Sequence, residues 1–309
     1  MANQWTQKDI PDQTGRVVIV TGGNSGIGYE AALALAGRNA RVILAVRHLE
    51  KGEQAAQKIR QRFPAADVKA MTLDLADLKS VRSFADVFLA GHERLDILIN
   101  NAGVMALPEV QTADGFEMQF GTNHLGHFAL TGHLLPTLKA TPNARVVTVS
   151  SYLHTSGDIH FDDLQLNKSY DRWAAYSQSK LANLLFAYEL QRRFAGAGMN
   201  AISVGCHPGY AATNLQAAGP RMSGSLISLW MMKAANFLFA QSQEMGALPT
   251  LFAAVAPQVH GCDYIGPAGR GGSRGYPDKL MSNDKSYDET LAKRLWSVSE
   301  ELTGVIYSF

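Results

Sequence analysis

The chain has 309 residues, and its 28 Lys and Arg against 27 Asp and Glu leave a net charge of +1. So even a balance excludes a dedicated nucleic-acid binder, whose phosphate contacts need a basic surplus. The 46% apolar content excludes a disordered chain. The two cysteines, Cys206 and Cys262, have no CxxC spacing, which excludes a disulfide scaffold or zinc ribbon and fits a reducing compartment. The N-terminus, MANQWTQKDI, has no basic stretch followed by an apolar run, so no signal peptide is expected. The most apolar window, Ser225–Ala240, carries Lys233 and is 16 residues long. A spanning helix needs ~20. The expectation is a cytoplasmic protein with no spanning segment.

In chain order, Arg16–Thr21 (RVVIVT) predicts a strand, followed by a Gly-rich turn and a helix through Arg38. A strand at Arg41–Val46 (RVILAV) precedes a polar helix from about Glu50 to Arg62. Val68–Leu73, a helix near Asp77–Ala90 and Leu95–Ile99 continue the alternation, with later strands at Arg145–Ser150 and Asn200–Gly205. Strands that are continuously apolar are buried on both faces, so the pattern predicts an α/β fold with a doubly wound parallel sheet and helices on both sides. No compositional break divides the chain, and residues 1–309 read as a single domain. Between Tyr210 and Met245 the pattern is weak. Gly261–Tyr276 reads as a long loop after a last short strand, and Asp288–Leu302 as a closing helix.

Three features carry chemistry. Thr21–Gly28 reads TGGNSGIG between a strand and a helix. Glycines at Gly22, Gly26 and Gly28 let the backbone turn tightly and approach a pyrophosphate resting on the helix N-terminus. With them, Asn24, Ser25 and Ile27 are candidate cofactor contacts. The second feature is the end of the second strand, where NAD-preferring folds place an acidic residue for the ribose 2′-hydroxyl. Here Ala45-Val46-Arg47 offers a guanidinium, suited to a 2′-phosphate, so NADP(H) is expected, with NAD(H) as the alternative. Third, of ten tyrosines only Tyr176 has a lysine, Lys180, four positions later. On a helix both then share one face, and an ammonium there would lower the phenol pKa from ~10 toward a useful proton donor.

Together with Asp74-Leu75, Asn100-Asn101-Ala102-Gly103, Asn123 in NHLGHF, Ser151 in VTVSS and Pro208-Gly209 followed by Thr213, these motifs resemble the short-chain dehydrogenase/reductases from about Arg16 to Thr213. The resemblance implies a Rossmann-type fold, adenine contacts at Asp74 and Leu75, and cofactor contacts at Asn101, Ala102, Gly103, Pro208, Gly209 and Thr213. It also implies a catalytic Asn123–Ser151–Tyr176–Lys180 set. Ser151 would bind the substrate oxygen, Tyr176 transfer the proton, and Lys180 lower the Tyr176 pKa and hold the nicotinamide ribose, with Asn123 supporting Lys180 through water. NHLGHF, the AVR strand end, SKLANLLF and the 25-residue step from Ser151 to Tyr176 are similar to the retinol-dehydrogenase-like, carbonyl-reducing branch.

The expected activity is an NADP(H)-dependent oxidoreductase interconverting apolar aldehydes or ketones and alcohols. The apolar segment Tyr210–Gln243, within a lid at about 210–245, is the expected wall of the substrate pocket. Rival readings are a double-bond reductase like protochlorophyllide reductase and a non-catalytic dinucleotide sensor. The first normally has a cysteine soon after the lysine, and Leu181–Leu185 contain none. The sensor has no need of Ser151, Tyr176 and Lys180 together. A membrane-peripheral enzyme docking through Ser225–Ala240 is a third alternative. No nucleic-acid partner is expected, and homodimer or homotetramer stays open. Gly271–Gly275 matches GxSxG outside a strand–helix elbow, and His124 with His127 lack a third ligand, so neither reads as a site.

Overall fold

The computed structural model describes residues 4–210 and 241–309. Eight strands form one sheet: β1 Val17–Thr21, β2 Arg41–Val46, β3 Val68–Thr72, β4 Ile97–Asn100, β5 Ala144–Val149, β6 Ala201–Cys206, β7 Tyr264–Pro267 and β8 Pro277–Leu280. Their order is β3-β2-β1-β4-β5-β6-β7-β8. Every neighbouring pair is parallel except the antiparallel β7–β8. This is the doubly wound, Rossmann-type α/β fold expected from the alternation of apolar strands and helices.

Burial on both faces explains why the strands lack polar alternation. In β1, Val18 and Val20 join one core layer with Ala31 and Leu35 of helix Gly26–Ala36 and Leu248 and Leu251 of helix Gln243–Val255. Val17 and Ile19 face the other layer, with Val81 and Phe84 of helix Leu78–Gly91 and Phe128 of helix Gly126–His133. The long helix Arg172–Gly196 is buried from Ala175 through Leu190, so LANLLFAYEL serves packing. β1 lies between β2 and β4, so the crossovers leave it in opposite directions. That reversal opens a crevice at the carboxyl ends of the strands.

Several boundaries differ from the sequence expectation, most by one or two residues. The first helix stops at Ala36 rather than Arg38, because Asn39 turns left-handed (φ 70°) and the Ala40 N–H returns to the Leu35 carbonyl. Gly261–Tyr276 is not a simple loop: it contains β7, and β8 follows at once. Each of these strands has four residues, too few for a period to register, and Pro267 and Pro277 sit opposite each other at the end of their ladder. Helix Gln243–Val255 lies just past the weakly patterned region. It is buried throughout from Gly246 to Val255, so it shows no polar stripe. The closing helix is Glu289–Thr303, capped by Asp288 accepting from Leu291 N–H at 2.9 Å. Beyond it, the Tyr307 hydroxyl donates to the Phe128 carbonyl at 2.6 Å. Among the described residues, no helix is long and apolar enough to cross a membrane.

Candidate active site

Because β1 through β7 run parallel, their carboxyl ends share one edge, and the segment after each of the first six carries a motif. After β1, Gly22 takes a left-handed φ of 67°, and its N–H donates to the Ala45 carbonyl at 2.8 Å. A Cβ at Gly28 would lie 2.5 Å from Asn101 Nδ2 and 2.7 Å from the Gly22 carbonyl oxygen, so only glycine lets the helix come this close. The helix starts at Gly26, and its N-cap, Ser25, makes no side-chain cap hydrogen bond. Its first amides therefore stay available to an anion, with the positive helix end behind them. This cradle fits a dinucleotide pyrophosphate.

Thr21, the first residue of that motif, organises the neighbouring strand end. Its hydroxyl oxygen accepts the N–H groups of Asn101 (2.8 Å) and Ala102 (2.9 Å), and its carbonyl accepts from Asn101 Nδ2 at 2.8 Å. Arg47 stands exposed just after β2, its Nε 3.4 Å from His48 Nε2. After β3, Asp74 Oδ1 accepts from Ala76 N–H at 3.0 Å, and Leu75 is buried. Pro208 and Gly209 follow β6, with the Pro208 carbonyl accepting from Gln241 Nε2 at 2.7 Å. Thr213 and most of the expected lid, 211–240, lie outside the described residues.

On the catalytic side, β5 delivers Ser151 and helix Arg172–Gly196 delivers Tyr176 and Lys180. Asp171 caps that helix through Trp173 N–H (2.9 Å) and Ala174 N–H (2.7 Å), which sets Tyr176 one turn inside. The step from Ser151 to Tyr176 is taken up by the short turn Tyr152–Ser156 and the loop after it. Lys180 Nζ donates to the Val149 carbonyl at 3.1 Å and lies 5.7 Å from the centre of the Tyr176 ring. The Val149 carbonyl also accepts from Asn183 Nδ2 at 3.0 Å, and Ser150 Oγ donates to the Lys180 carbonyl at 2.8 Å. A side chain at Gly103 would come within 3.5 Å of Lys180 Nζ, so the fourth strand's end meets the catalytic helix.

One expectation is corrected here. Asn123 Nδ2 donates to the Val104 carbonyl and to Ser179 Oγ, both at 2.9 Å, and its Oδ1 accepts Val104 N–H at 2.8 Å. Asn123 thus reaches the helix at Ser179, the residue before Lys180. The Tyr176 pKa does not fall below its ordinary value, as the resemblance implied it would. Burial pushes the phenol up to about 12, and the Ser151 hydroxyl pulls the other way. Burial also draws the Lys180 ammonium down to about 8. With a low dielectric on all sides, desolvation outweighs one ammonium that is itself poorly solvated. Tyr176 thus keeps its proton at neutral pH, the state a proton donor requires.

The sequence reading missed several residues here. Thr21 lies inside the glycine motif without a signal of its own, and Ser179 and Asn183 flank Lys180 without a motif of their own. His154 is buried, with Nδ1–H donating to the Ser151 carbonyl at 2.7 Å and Nε2 accepting Asn283 N–H at 3.2 Å. Its position three residues after Ser151 was the one signal that could have exposed it. His124 and His127 are buried in the core: His124 Nε2 meets Ser299 Oγ, and the two nitrogens of His127 meet Thr21 Oγ1 and the Asn123 carbonyl. The GxSxG stretch forms a glycine turn, with Gly271, Gly272 and Gly275 all left-handed.

Residues 16–223 match the short chain dehydrogenase family, and the chain belongs to it. It is therefore an oxidoreductase of the alcohol–carbonyl class that uses a nicotinamide dinucleotide. Human retinol dehydrogenase 13 is 44% identical over 295 residues, 94% of this chain and 85% of that one. A crystal structure of an uncharacterized protein from Mycobacterium Paratuberculosis superimposes with a TM-score of 0.82 at 43% identity, covering 99% of this chain and 100% of the other. The RhlG/NADP active-site complex of Pseudomonas aeruginosa shares the fold, with a TM-score of 0.61 at 24% identity over 81% of this chain and 94% of that one.

Proposed function

We propose that the chain is an NADP(H)-dependent enzyme interconverting apolar ketones or aldehydes and the corresponding alcohols, working as one catalytic domain. The observation that carries this reading is the convergence of Ser151, Tyr176 and Lys180 on the sheet edge that bears the glycine cradle. When bound, the nicotinamide supplies or accepts the hydride. Ser151 orients the substrate oxygen by hydrogen bonding and fixes the carbonyl against the cofactor side of the crevice. The Tyr176 phenol donates its proton to the oxygen as negative charge develops there, and takes it back in the oxidative direction. Lys180 spends one hydrogen bond on Val149 among the described residues. Its remaining N–H donors suit the ribose hydroxyls, and its charge favours the phenolate left after proton transfer.

The preference for NADP(H) rests on Ala45-Val46-Arg47. No carboxylate stands there to accept from a 2′-hydroxyl, and an exposed guanidinium can pair with a 2′-phosphate. RhlG, of the same fold, is an NADP complex. The apolar substrate class is supported by the composition of Tyr210–Gln243, whose only charges are Arg221 and Lys233, and by the name retinol dehydrogenase carried by a relative. Exposed Tyr152 and Trp173, next to Ser151 and three residues before Tyr176, extend the apolar character of this region.

The test is an NADPH-oxidation screen across ketones and aldehydes, repeated with Tyr176→Phe. The expected result is turnover of bulky apolar carbonyls over small hydrophilic ones, lost by ~10²–10⁴-fold or more in the variant while NADPH still binds. Near-native turnover by the phenylalanine variant would overturn the mechanism.

A further inference from the structure

We propose that His127 is a positioning residue that joins the floor of the cofactor loop to Asn123 through a single, fixed tautomer. The inference rests on the reading above, in which both ends of this link belong to the working site. Thr21 Oγ1 already accepts two amides, from Asn101 and Ala102, so its own proton must point elsewhere. His127 Nε2 lies 2.9 Å away and the Ile99 carbonyl 3.3 Å, which makes the imidazole the better acceptor. The other ring nitrogen, Nδ1, lies 2.9 Å from the Asn123 carbonyl. A carbonyl can only accept, so Nδ1 carries the hydrogen and Nε2 is bare. The ring is therefore neutral and one-directional, passing order from Thr21 to Asn123.

The local winding gives this ring its place. Gly121–Leu125 forms a π turn, in which Gly126 N–H reaches back five residues to the Gly121 carbonyl. His127 follows on the same helical path, fully buried, and burial draws it down to about 4. A second bond locks its backbone: Thr131 Oγ1 donates to the His127 carbonyl at 2.8 Å and accepts from Asn100 Nδ2 at 3.1 Å. Asn123, held by the ring at its carbonyl, holds Ser179 with its side chain, and Ser179 Oγ donates to the Tyr176 carbonyl at 2.8 Å. The titratable group facing the ring from another element is Lys180, whose charge adds to the bias toward neutral imidazole.

Two substitutions separate the two arms. His127→Asn places an amide nitrogen near the Nδ1 position and gives up Thr21. His127→Gln reaches Thr21 with its oxygen and gives up the Asn123 carbonyl. Calorimetric NADPH binding should weaken about 10-fold or more in His127→Asn and in Thr21→Val, while Thr21→Ser stays near native, because one buried hydrogen bond is lost or kept. In His127→Gln the larger effect should fall on kcat, about 10-fold, with NADPH affinity nearly unchanged. Independently of activity, ¹⁵N NMR of the cofactor-free native protein should show the His127 ring as the neutral Nδ1–H tautomer at pH 6. An Nε2–H tautomer, native behaviour of all the variants, or equal losses of affinity and kcat in both His127 variants would overturn the proposal. Failure of Tyr176→Phe to lose turnover would instead remove the catalytic reading and leave the binding and NMR results standing.

Discussion

The Asn123 amide donates to the Ser179 hydroxyl at 2.9 Å, across 56 residues of chain, and Ser179 in turn donates to the carbonyl of Tyr176. Ser179 also stands immediately before Lys180. One buried hydroxyl thus fixes the helical turn from which both the phenol and the ammonium project. Ser179→Ala should leave an Asn123 N–H unpaired inside the protein, costing about 1–3 kcal/mol of stability. The matching kinetic expectation is a lower kcat with NADPH affinity retained. Thermal melts and steady-state kinetics check both, and an unchanged kcat would show that Asn123 does not act through this hydroxyl.

Burial of the Lys180 ammonium carries a cost to stability. Burial lowers its pKa from 10.5 to about 8, equivalent to about 3 kcal/mol against the charged form at neutral pH. Lys180→Met should therefore abolish turnover yet raise the melting temperature at pH 7. The unfolded chain holds its proton up to ~10.5 and the folded one loses it near 8, so native stability from this group rises across that window. The advantage of the methionine variant should shrink over the same range. A variant less stable than native at pH 7 would contradict the assignment of a strained, desolvated ammonium.

Acid should unfold the protein through its buried histidines. Burial draws His124 to about 3 and His127 and His207 to about 4. The unfolded chain takes up these protons near 6.5 and the folded chain does not, so stability falls as pH drops from about 6.5 to 4. Near pH 5.5, unfolding should take up roughly three protons from this source. The slope of unfolding free energy against pH measures that number, and a slope near zero would refute it.

Cofactor choice should lie with Arg47. Arg47→Ala should raise the KM for NADPH far more than that for NADH, because only NADPH has a 2′-phosphate to lose its partner. Steady-state kinetics with both cofactors decide the matter, and equal shifts would mean that the guanidinium does not read this group.

Local patterning was enough for much of this architecture. Arg41–Val46 is a strand with the limits expected from its apolar run, and Asp288 and Gly304 bracket the closing helix as a cap and a left-handed stop. TGGNSGIG advertised its role because a backbone that must approach a phosphate has few residue choices. β7 and β8 were hidden for the opposite reason. Four-residue strands are specified by their ladder partners, and those partners lie far away in the chain.

The sequence by itself determined the layered α/β fold, because periodicity and glycine placement are local properties. Its family resemblance, with the Tyr-x-x-x-Lys spacing, marked Ser151, Tyr176 and Lys180 as candidates; the order of the strands came from their pairing. Only the tertiary structure decided what surrounds those groups. That Tyr176 stays protonated follows from burial on every side. That Asn123 bonds to Ser179, and that His127, which the sequence does not mark as a site, bridges Thr21 and Asn123, follow from contacts between residues 56 and 106 positions apart. Desolvation and hydrogen-bond direction depend on neighbours brought together by folding, and no local stretch of chain encodes them.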